Sequence, residues 1–280
     1  MRSNSEKQQT LKESISYDGV GLHTGQNVKI TCKPLPADSG IIFKRVDLPG
    51  KPEIKAEVDN VVATNRSTTI GTDEYRISTV EHLLSALNGA GIDNLLIEIN
   101  AEEVPVTDGS AKVFLELLYE AGIEELDSKR KVYKIDEIIW VREGDAYLVV
   151  LPFVSFKTSY TFVSEHSAIG NQFGEFIINE EVFRDELAPC RTFGFAQEIE
   201  DLQARGLALG GSLENAILIE EDEVINDLRF PDEIVRHKIL DLVGDLSLIP
   251  PFKGHIIAVR SGHKLNVKLA KNIKSYLFDQ

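Results

Sequence analysis

Long hydrophobic runs are missing from this 280-residue chain. The longest, such as residues 146–153, fall far short of the roughly 20 apolar residues that cross a bilayer. Residues 1–10 are polar and lack the apolar centre of a signal peptide. Cysteine is scarce: Cys32 and Cys190 lie too far apart for zinc-finger spacing and are too few for a disulfide scaffold. A reducing cytoplasm is the expected compartment. Positive charge is also short, 30 Lys and Arg against 45 Asp and Glu, a formal net charge of −15. Such a field argues against non-specific binding to nucleic acid or anionic lipid. An anionic substrate would need a local cluster of lysines or arginines. No His-Glu-x-x-His, Gly-x-Ser-x-Gly or Walker loop is present either. What remains is a globular composition, 42% hydrophobic and 27% charged, long enough for one large domain or two of ordinary size.

Residues 232–246 organise the rest. Val235, Ile239, Leu242 and Leu246 recur at helical spacing, and Pro231 with Asp232 and Glu233 makes a suitable helix start. His237, Asp241 and Asp245 follow at four-residue intervals and stack on one face. A carboxylate buried beside Leu and Val is costly unless something positive sits against it. A divalent metal on His237 and Asp241 meets that need. So does a surface ion pair or a capped core histidine, and spacing alone leaves all three open.

Taken in order, residues 13–18 and 28–34 read as strands joined by the turn Gly19-Val-Gly-Leu-His-Thr-Gly25. A strand follows it rather than a helix, so it is no dinucleotide fingerprint. Its glycines are expected at positive φ, with His23 a hydrogen-bonded structural histidine. Pro34, Pro36, Pro49 and Pro52 surround a short strand at 41–46, which reads as a β-ribbon inserted over about 34–60. Ser78-Thr-Val-Glu-His82 opens a helix whose Val80, Leu83, Leu84 and Leu87 face a core. Ser78 and Glu81 have capping-box spacing, a competing use for Glu81. A strand at 95–100 and a helix at 111–121 follow. The charged tract 122–131 is the expected boundary between an N-terminal domain, 1–125, and a C-terminal one, 130–280. Five strands and the segment Cys190-Arg-Thr-Phe-Gly-Phe195 come next. A second insertion, βαβ in type over about 193–222, has an apolar surface at Leu207 and Leu209. After the helix at 232–246, a strand at 255–260, a tight loop carrying His263 and a helix at 265–274 close the chain. His166 and His255 read as loop and strand filler.

Each half thus carries a histidine-bearing helix, a strand, a loop and a final helix. The expected fold class is α+β, a duplicated unit of sheet plus helices. If the helical faces pack on each other, His82 joins His237 and Asp241. Two histidines and one aspartate leave a fourth position for water, the pattern of a catalytic Zn2+ site; the same donors suit ferrous iron. Glu81 adjoins a proposed ligand and could take the proton of an attacking water. His263, kept charged by Asp245, could stabilise an oxyanion or protonate a leaving amine. A plain surface-loop histidine is the alternative.

Thr79-Val-Glu-His82, Cys190-Arg-Thr-Phe-Gly-Phe195, Val235-Arg-His-Lys-Ile-Leu-Asp241, Gly244-Asp245 and Ser261-Gly-His-Lys-Leu-Asn266 resemble segments of the UDP-3-O-acyl-N-acetylglucosamine deacetylases. So do Gly19 to Gly25 and Asp108-Gly-Ser-Ala111, and the likeness runs from near residue 11 to near residue 270. The resemblance implies a zinc amidase that removes acetate from a UDP-linked acylated glucosamine, the committed step of lipid A synthesis in Gram-negative type bacteria. It implies two α+β domains with their helices sandwiched between the sheets, one insertion in each, and Zn2+ on His82, His237 and Asp241. Glu81 would be general base and His263 the acid or electrostatic partner, oriented by Asp245. Thr192 would hold the oxyanion, Phe193 contact the sugar and Lys238 the polar head, with Lys264 and Lys268 adding positive charge. The insertion around Leu207 and Leu209 would form a passage for the acyl chain. Thr107 stands where an apolar residue is expected before Asp108. No dehydratase follows, so the single-activity form is expected, as a monomer with no nucleic-acid partner and no transmembrane segment. Two other readings stay open: a metal-dependent amidase or esterase on another acylated sugar, and a non-enzymatic nucleotide-sugar binding protein with a structural metal.

Overall fold

The computed structural model describes residues 6–278. Residues 1–5 of the polar start, and 279–280 at the end of the expected second domain, lie outside the described residues.

The first half begins with β1 (Lys7–Leu11), β2 (Ile15–Val20), β3 (Asn27–Pro34), β4 (Ile41–Arg45) and β5 (Glu53–Lys55). In β3, Val28, Ile30 and Cys32 are buried while Asn27 and Lys29 face water, the alternation of a sheet covered on one side. A small sheet of β6 (Val61–Ala63), β7 (Thr69–Gly71) and β8 (Arg76–Ile77) leads into α1 (Glu81–Ala90). Then come β9 (Leu95–Ile99), α2 (Lys112–Glu120) and β10 (Ile123–Lys129).

Five of these strands form one sheet in the order β2-β3-β9-β4-β5. The ribbon expected over 34–60 is therefore corrected: β4 pairs parallel with β9 and antiparallel with β5, so both belong to the main sheet. Pro36, Pro49 and Pro52 punctuate its connections, whereas the partner that makes β4 a sheet strand lies far along the chain. The excursion from the first sheet is the β6-β7-β8 unit instead. The charged tract 122–131 holds β10, which runs antiparallel to β1. Its Glu124, Asp127 and Lys129 are exposed, so charge marks the wet side of a ribbon there.

The second half holds β11 (Tyr133–Lys134), β12 (Ile139–Glu143), β13 (Ala146–Leu151), β14 (Phe156–Phe162), β15 (Gln172–Ile177) and a single turn, α3 (Glu180–Val182). It continues through β16 (Phe193–Phe195), α4 (Ala196–Ala204), β17 (Ile217–Ile219), α5 (Glu233–Leu246), β18 (Phe252–Val259) and α6 (His263–Phe278). Its main sheet runs β12-β13-β18-β14-β15, with β11 pairing beside β18. Strand for strand this is the order of the first sheet. In each, the central strand follows the histidine-bearing helix and, in the five-strand order, lies between one antiparallel and one parallel neighbour. In each, too, the chain leaves its sheet between the outer hairpin and that helix. In the second half the excursion pairs β16 with β17 in parallel across α4.

Helices α1, α2, α5 and α6 pack on one another, α1 against α2 and α5, and α5 against α6. α5 also packs on β14 and β15, and α6 on β12 and β13. Leu83 of α1 and Phe114 of α2 meet Ile30 and Cys32 of β3 around one small void. The larger apolar core runs through both halves, and a smaller one lies at Ile217, Ile219 and Ile234. Gly244 sets how closely α1 and α5 approach, because a Cβ there would stand 2.1 Å from the carbonyl oxygen of Glu81. Among the described residues, no helix is long and apolar enough to cross a membrane.

Candidate metal centre and active site

The α1–α5 contact brings together His82, His237 and Asp241, all buried, with ligand atoms within 4.8 Å of one another. His82 Nε2 and His237 Nε2 lie 3.5 and 3.3 Å from the same oxygen, Asp241 Oδ1. The two rings meet edge to face at 5.0 Å. That oxygen is buried and receives no hydrogen bond among the described residues, a costly state for a carboxylate oxygen. Burial pushes the His237 imidazole down to about 4, with His82 and Lys238 adding to the effect. Burial alone would raise Asp241, yet His237, Lys238 and His82 hold it well below the usual carboxylate range. A neutral His237 imidazole and an ionised Asp241 carboxylate are the states that coordinate a divalent cation, so the donor set fits a metal. The Cys190 carbonyl sits 3.1 Å from His237 Nδ1 and turns Nε2 toward the centre. Lys238 lies in the same cleft, but its ammonium is tied to Asp241 Oδ2 at 2.7 Å.

Glu81 opens α1 without forming a capping box. Thr79 takes a φ of 57°, which turns Ser78 away to the Glu102 carbonyl, and Val80 precedes the helix with no side-chain cap. The Glu81 carboxylate instead accepts the Thr68 N–H at 2.9 Å. Burial raises its pKa, with Asp245 and Asp241 adding and His263 and His82 opposing. That moves a carboxylate toward the range of a base working near neutrality.

His263 is corrected from loop residue to first residue of α6: Leu265 and Asn266 N–H groups both bond the Gly262 carbonyl, so the helix begins there. Its Nδ1 donates to Asp245 Oδ2 at 2.9 Å, which leaves Nε2 for the cleft. Burial alone would lower this histidine; Asp245, then Asp241 and Glu81, raise it to about 9, so it is charged at neutral pH. Asp245 is itself held by Thr68 Oγ1 at 2.5 Å and Asn266 Nδ2 at 2.8 Å. Thr68 carries no signal in the sequence, and Asn266 only its place at the end of the Ser-Gly-His-Lys-Leu-Asn segment.

These groups share a cleft of about 510 Å³ with Thr192 and Phe193, whose ring lies 6.2 Å from that of His237. Positive charge in its walls comes from Lys238, Lys264, Arg66 and Arg260, while Lys268 is exposed on α6 outside the lining. A second cavity of about 270 Å³ adjoins it along Thr192 and Phe193 and is walled by Ile199, Leu202, Leu213 and Ile217. Leu207 and Leu209 are not among those walls, which corrects the expected passage. Ala208, at φ 56°, lines the cavity between them, and Leu209 stands 52% exposed. The apolar wall is built from α4 and β17, whose periods face inward, and the Leu-Ala-Leu bend presents only its middle residue.

His23, read as structural, borders both cavities. Its Nδ1 accepts the Ala208 N–H at 3.4 Å, and its Nε2 has no partner among the described residues. Of the three glycines in its turn only Gly25 takes a positive φ, 64°; Gly21 leaves room for Glu103, whose carboxylate accepts the His23 and Thr24 N–H groups at 2.8 Å each. His255 lies elsewhere, 2.7 Å from the Ser159 hydroxyl. Thr107 takes a φ of 56°, and its hydroxyl reaches the Ser110 carbonyl at 3.3 Å.

A family model for UDP-3-O-acyl N-acetylglycosamine deacetylase matches residues 8–275. The UDP-3-O-acyl-N-acetylglucosamine deacetylase of Chlamydia abortus is 44% identical over 274 residues, 96% of this chain and 98% of its own. Its namesake in Geotalea uraniireducens is 44% identical over 96% of this chain and 88% of that one. The one in Bdellovibrio bacteriovorus is 42% identical over 95% and 89%.

Proposed function

The chain belongs to the UDP-3-O-acyl N-acetylglycosamine deacetylase family, and on that premise we propose that it hydrolyses the acetamide of UDP-3-O-acyl-N-acetylglucosamine. The products are acetate and the free amine, and the step commits the sugar to lipid A biosynthesis. One observation carries the reading: Asp241 Oδ1, buried between two imidazole Nε2 atoms with no donor among the described residues, opens onto a cleft that also holds Glu81 and His263.

We assign zinc to His82, His237 and Asp241. Bound there, zinc supplies a Lewis acid for the amide carbonyl and lowers the pKa of water to about 7. Glu81 takes the proton of the attacking water, its basicity raised by burial. His263 enters charged, because Asp245 holds its Nδ1 proton, and hands a proton from Nε2 to the leaving nitrogen. The Thr192 hydroxyl donates to the oxygen that gains charge. Phe193 borders the sugar, and Lys238 with the neighbouring cations of the cleft meets the polar head. The apolar cavity takes the acyl chain, each buried methylene contributing about 0.8 kcal/mol. The two buried, free cysteines support a cytoplasmic setting. The shared strand order of the two sheets supports a duplicated unit, divided near residues 125–130.

The test pairs elemental analysis of purified protein with an acetate-release assay. We expect stoichiometric zinc, loss of turnover on chelation and recovery on adding zinc back. Equal release from acetylated sugars lacking UDP and the acyl chain would shift the reading to a general amidase or esterase. Tight metal without release from any acetylated sugar would leave a binding protein with a structural metal.

A further inference from the structure

Arg191 and the Asp108-Gly-Ser-Ala111 segment take no part in the chemistry above, yet both belong to a closed ring of hydrogen bonds beside it. Glu233 is fully buried and lies one helical turn before His237, so it extends the stripe of His237, Asp241 and Asp245 on α5. Its Oε1 accepts the Arg191 N–H at 3.0 Å and Nε at 2.9 Å. Its Oε2 accepts Arg191 Nη2 at 3.2 Å and the Arg229 N–H at 2.6 Å. Arg229 Nη1 donates onward to Asp108 Oδ2 at 2.8 Å. Asp108 Oδ1 in turn takes the Ser110 hydroxyl at 2.7 Å, and the Gly109 carbonyl accepts the Thr192 N–H at 2.8 Å, which closes the ring.

Arg191 is flanked by two groups of the centre. Cys190 offers the carbonyl against His237 Nδ1, and Thr192 stands in the cleft wall. One carboxylate grips both the main chain and the guanidinium fork of the residue between them. A buried ion pair of this kind is weak evidence for stability, since apolar replacements are often neutral or better. What the planar fork supplies is direction.

We propose that the Arg191–Glu233 pair is a positioning device for deacetylation, fixing as one piece the carbonyl that orients His237 and the hydroxyl of Thr192. The inference rests on the deacetylase reading. It assigns Arg191 and Glu233 no contact with substrate. They act through their neighbours, where a misplacement of about 1 Å can cost about 10²-fold in rate.

Arg191→Lys keeps the charge and loses the fork. In the zinc-loaded full chain we expect kcat to fall about 10- to 100-fold, the usual effect of removing an outer-sphere partner, with KM little changed and the melting curve still cooperative. Because Arg191 acts through Thr192, the kcat penalty of Thr192→Ala should shrink in the Arg191→Lys background. In the Co2+-substituted protein the visible absorption should shift, since His237 reorients. Glu233→Gln, which keeps the volume, should reproduce all three effects and carries the test if the arginine variant does not fold. Wild-type kcat in both variants, or an undiminished Thr192→Ala penalty with an unshifted cobalt spectrum, overturns the inference. Should the wild-type chain release no acetate, the deacetylase reading fails separately, and the cobalt spectrum alone decides whether Arg191 orients His237.

Discussion

Three carboxylates on one face of α5 have different surroundings, and the difference assigns their work. Glu233 accepts four hydrogen bonds and Asp245 three, whereas Asp241 Oδ1 receives none among the described residues. Saturated carboxylates orient other groups; the unsaturated one is left for a cation. Glu81 differs again, with one backbone donor and a pKa raised by burial. Glu81→Ala should therefore retain zinc and lose about 10²–10⁴-fold in kcat, the usual range for a general base. His82→Ala should lose zinc and turnover together. Elemental analysis of the dialysed variants, run beside acetate release, checks both; full activity in Glu81→Ala would reduce that side chain to packing. At this scale the shared face of His237 and Asp241 was legible, because four-residue spacing on a helix guarantees it, whereas His82 joins them only through the packing of α1 on α5. Thr68 was not, since a threonine in the loop just before β7 acquires its role only from Asp245 across the interface.

The α1–α5 crossing carries the site, and Gly244 is its narrowest point. A methyl group there would push on the Glu81 carbonyl, so Gly244→Ala should cost about 1–3 kcal/mol through overpacking. Because that carbonyl belongs to the proposed base, turnover should fall further than the folded fraction does. Denaturant melts compared with specific activity will show it, and an unchanged melt would mean that the helices can separate freely. Elements with their own period, such as α5 and β18, could be read from residue order. Ile41–Arg45 could not be placed, because its sheet partner β9 lies beyond an entire small sheet and a helix. The capping-box pattern at Ser78 and Glu81 failed for a related reason: the left-handed Thr79 lets Ser78 bond the carbonyl of the distant Glu102 instead.

Across the whole molecule, the centre is a joint between halves. His82 comes from the first, and His237 and Asp241 from the second; Thr68 of the first also grips Asp245 of the second. A metal held there binds only the assembled fold, so it stabilises by mass action, about 2.7 kcal/mol at a hundredfold excess over Kd. Chelation should accordingly lower the melting temperature of the wild type and leave that of His82→Ala unmoved. A wild type that melts identically with and without chelator would place the metal, if bound at all, outside this joint.

The order of residues alone determined what is local: the helical stripe on 232–246, the α+β alternation, the acidic surface, and a set of segments specific enough to suggest a family. Such features depend on spacing along one element, which a chain carries before it folds. Tertiary structure decided which surfaces meet. It put β4 in the main sheet, turned Ala208 rather than Leu207 or Leu209 into the apolar cavity, drew His23 to the cleft and closed the ring through Glu233. Each of those outcomes joins residues far apart in sequence, and contact between distant segments is settled by packing around a common core, which no local pattern encodes.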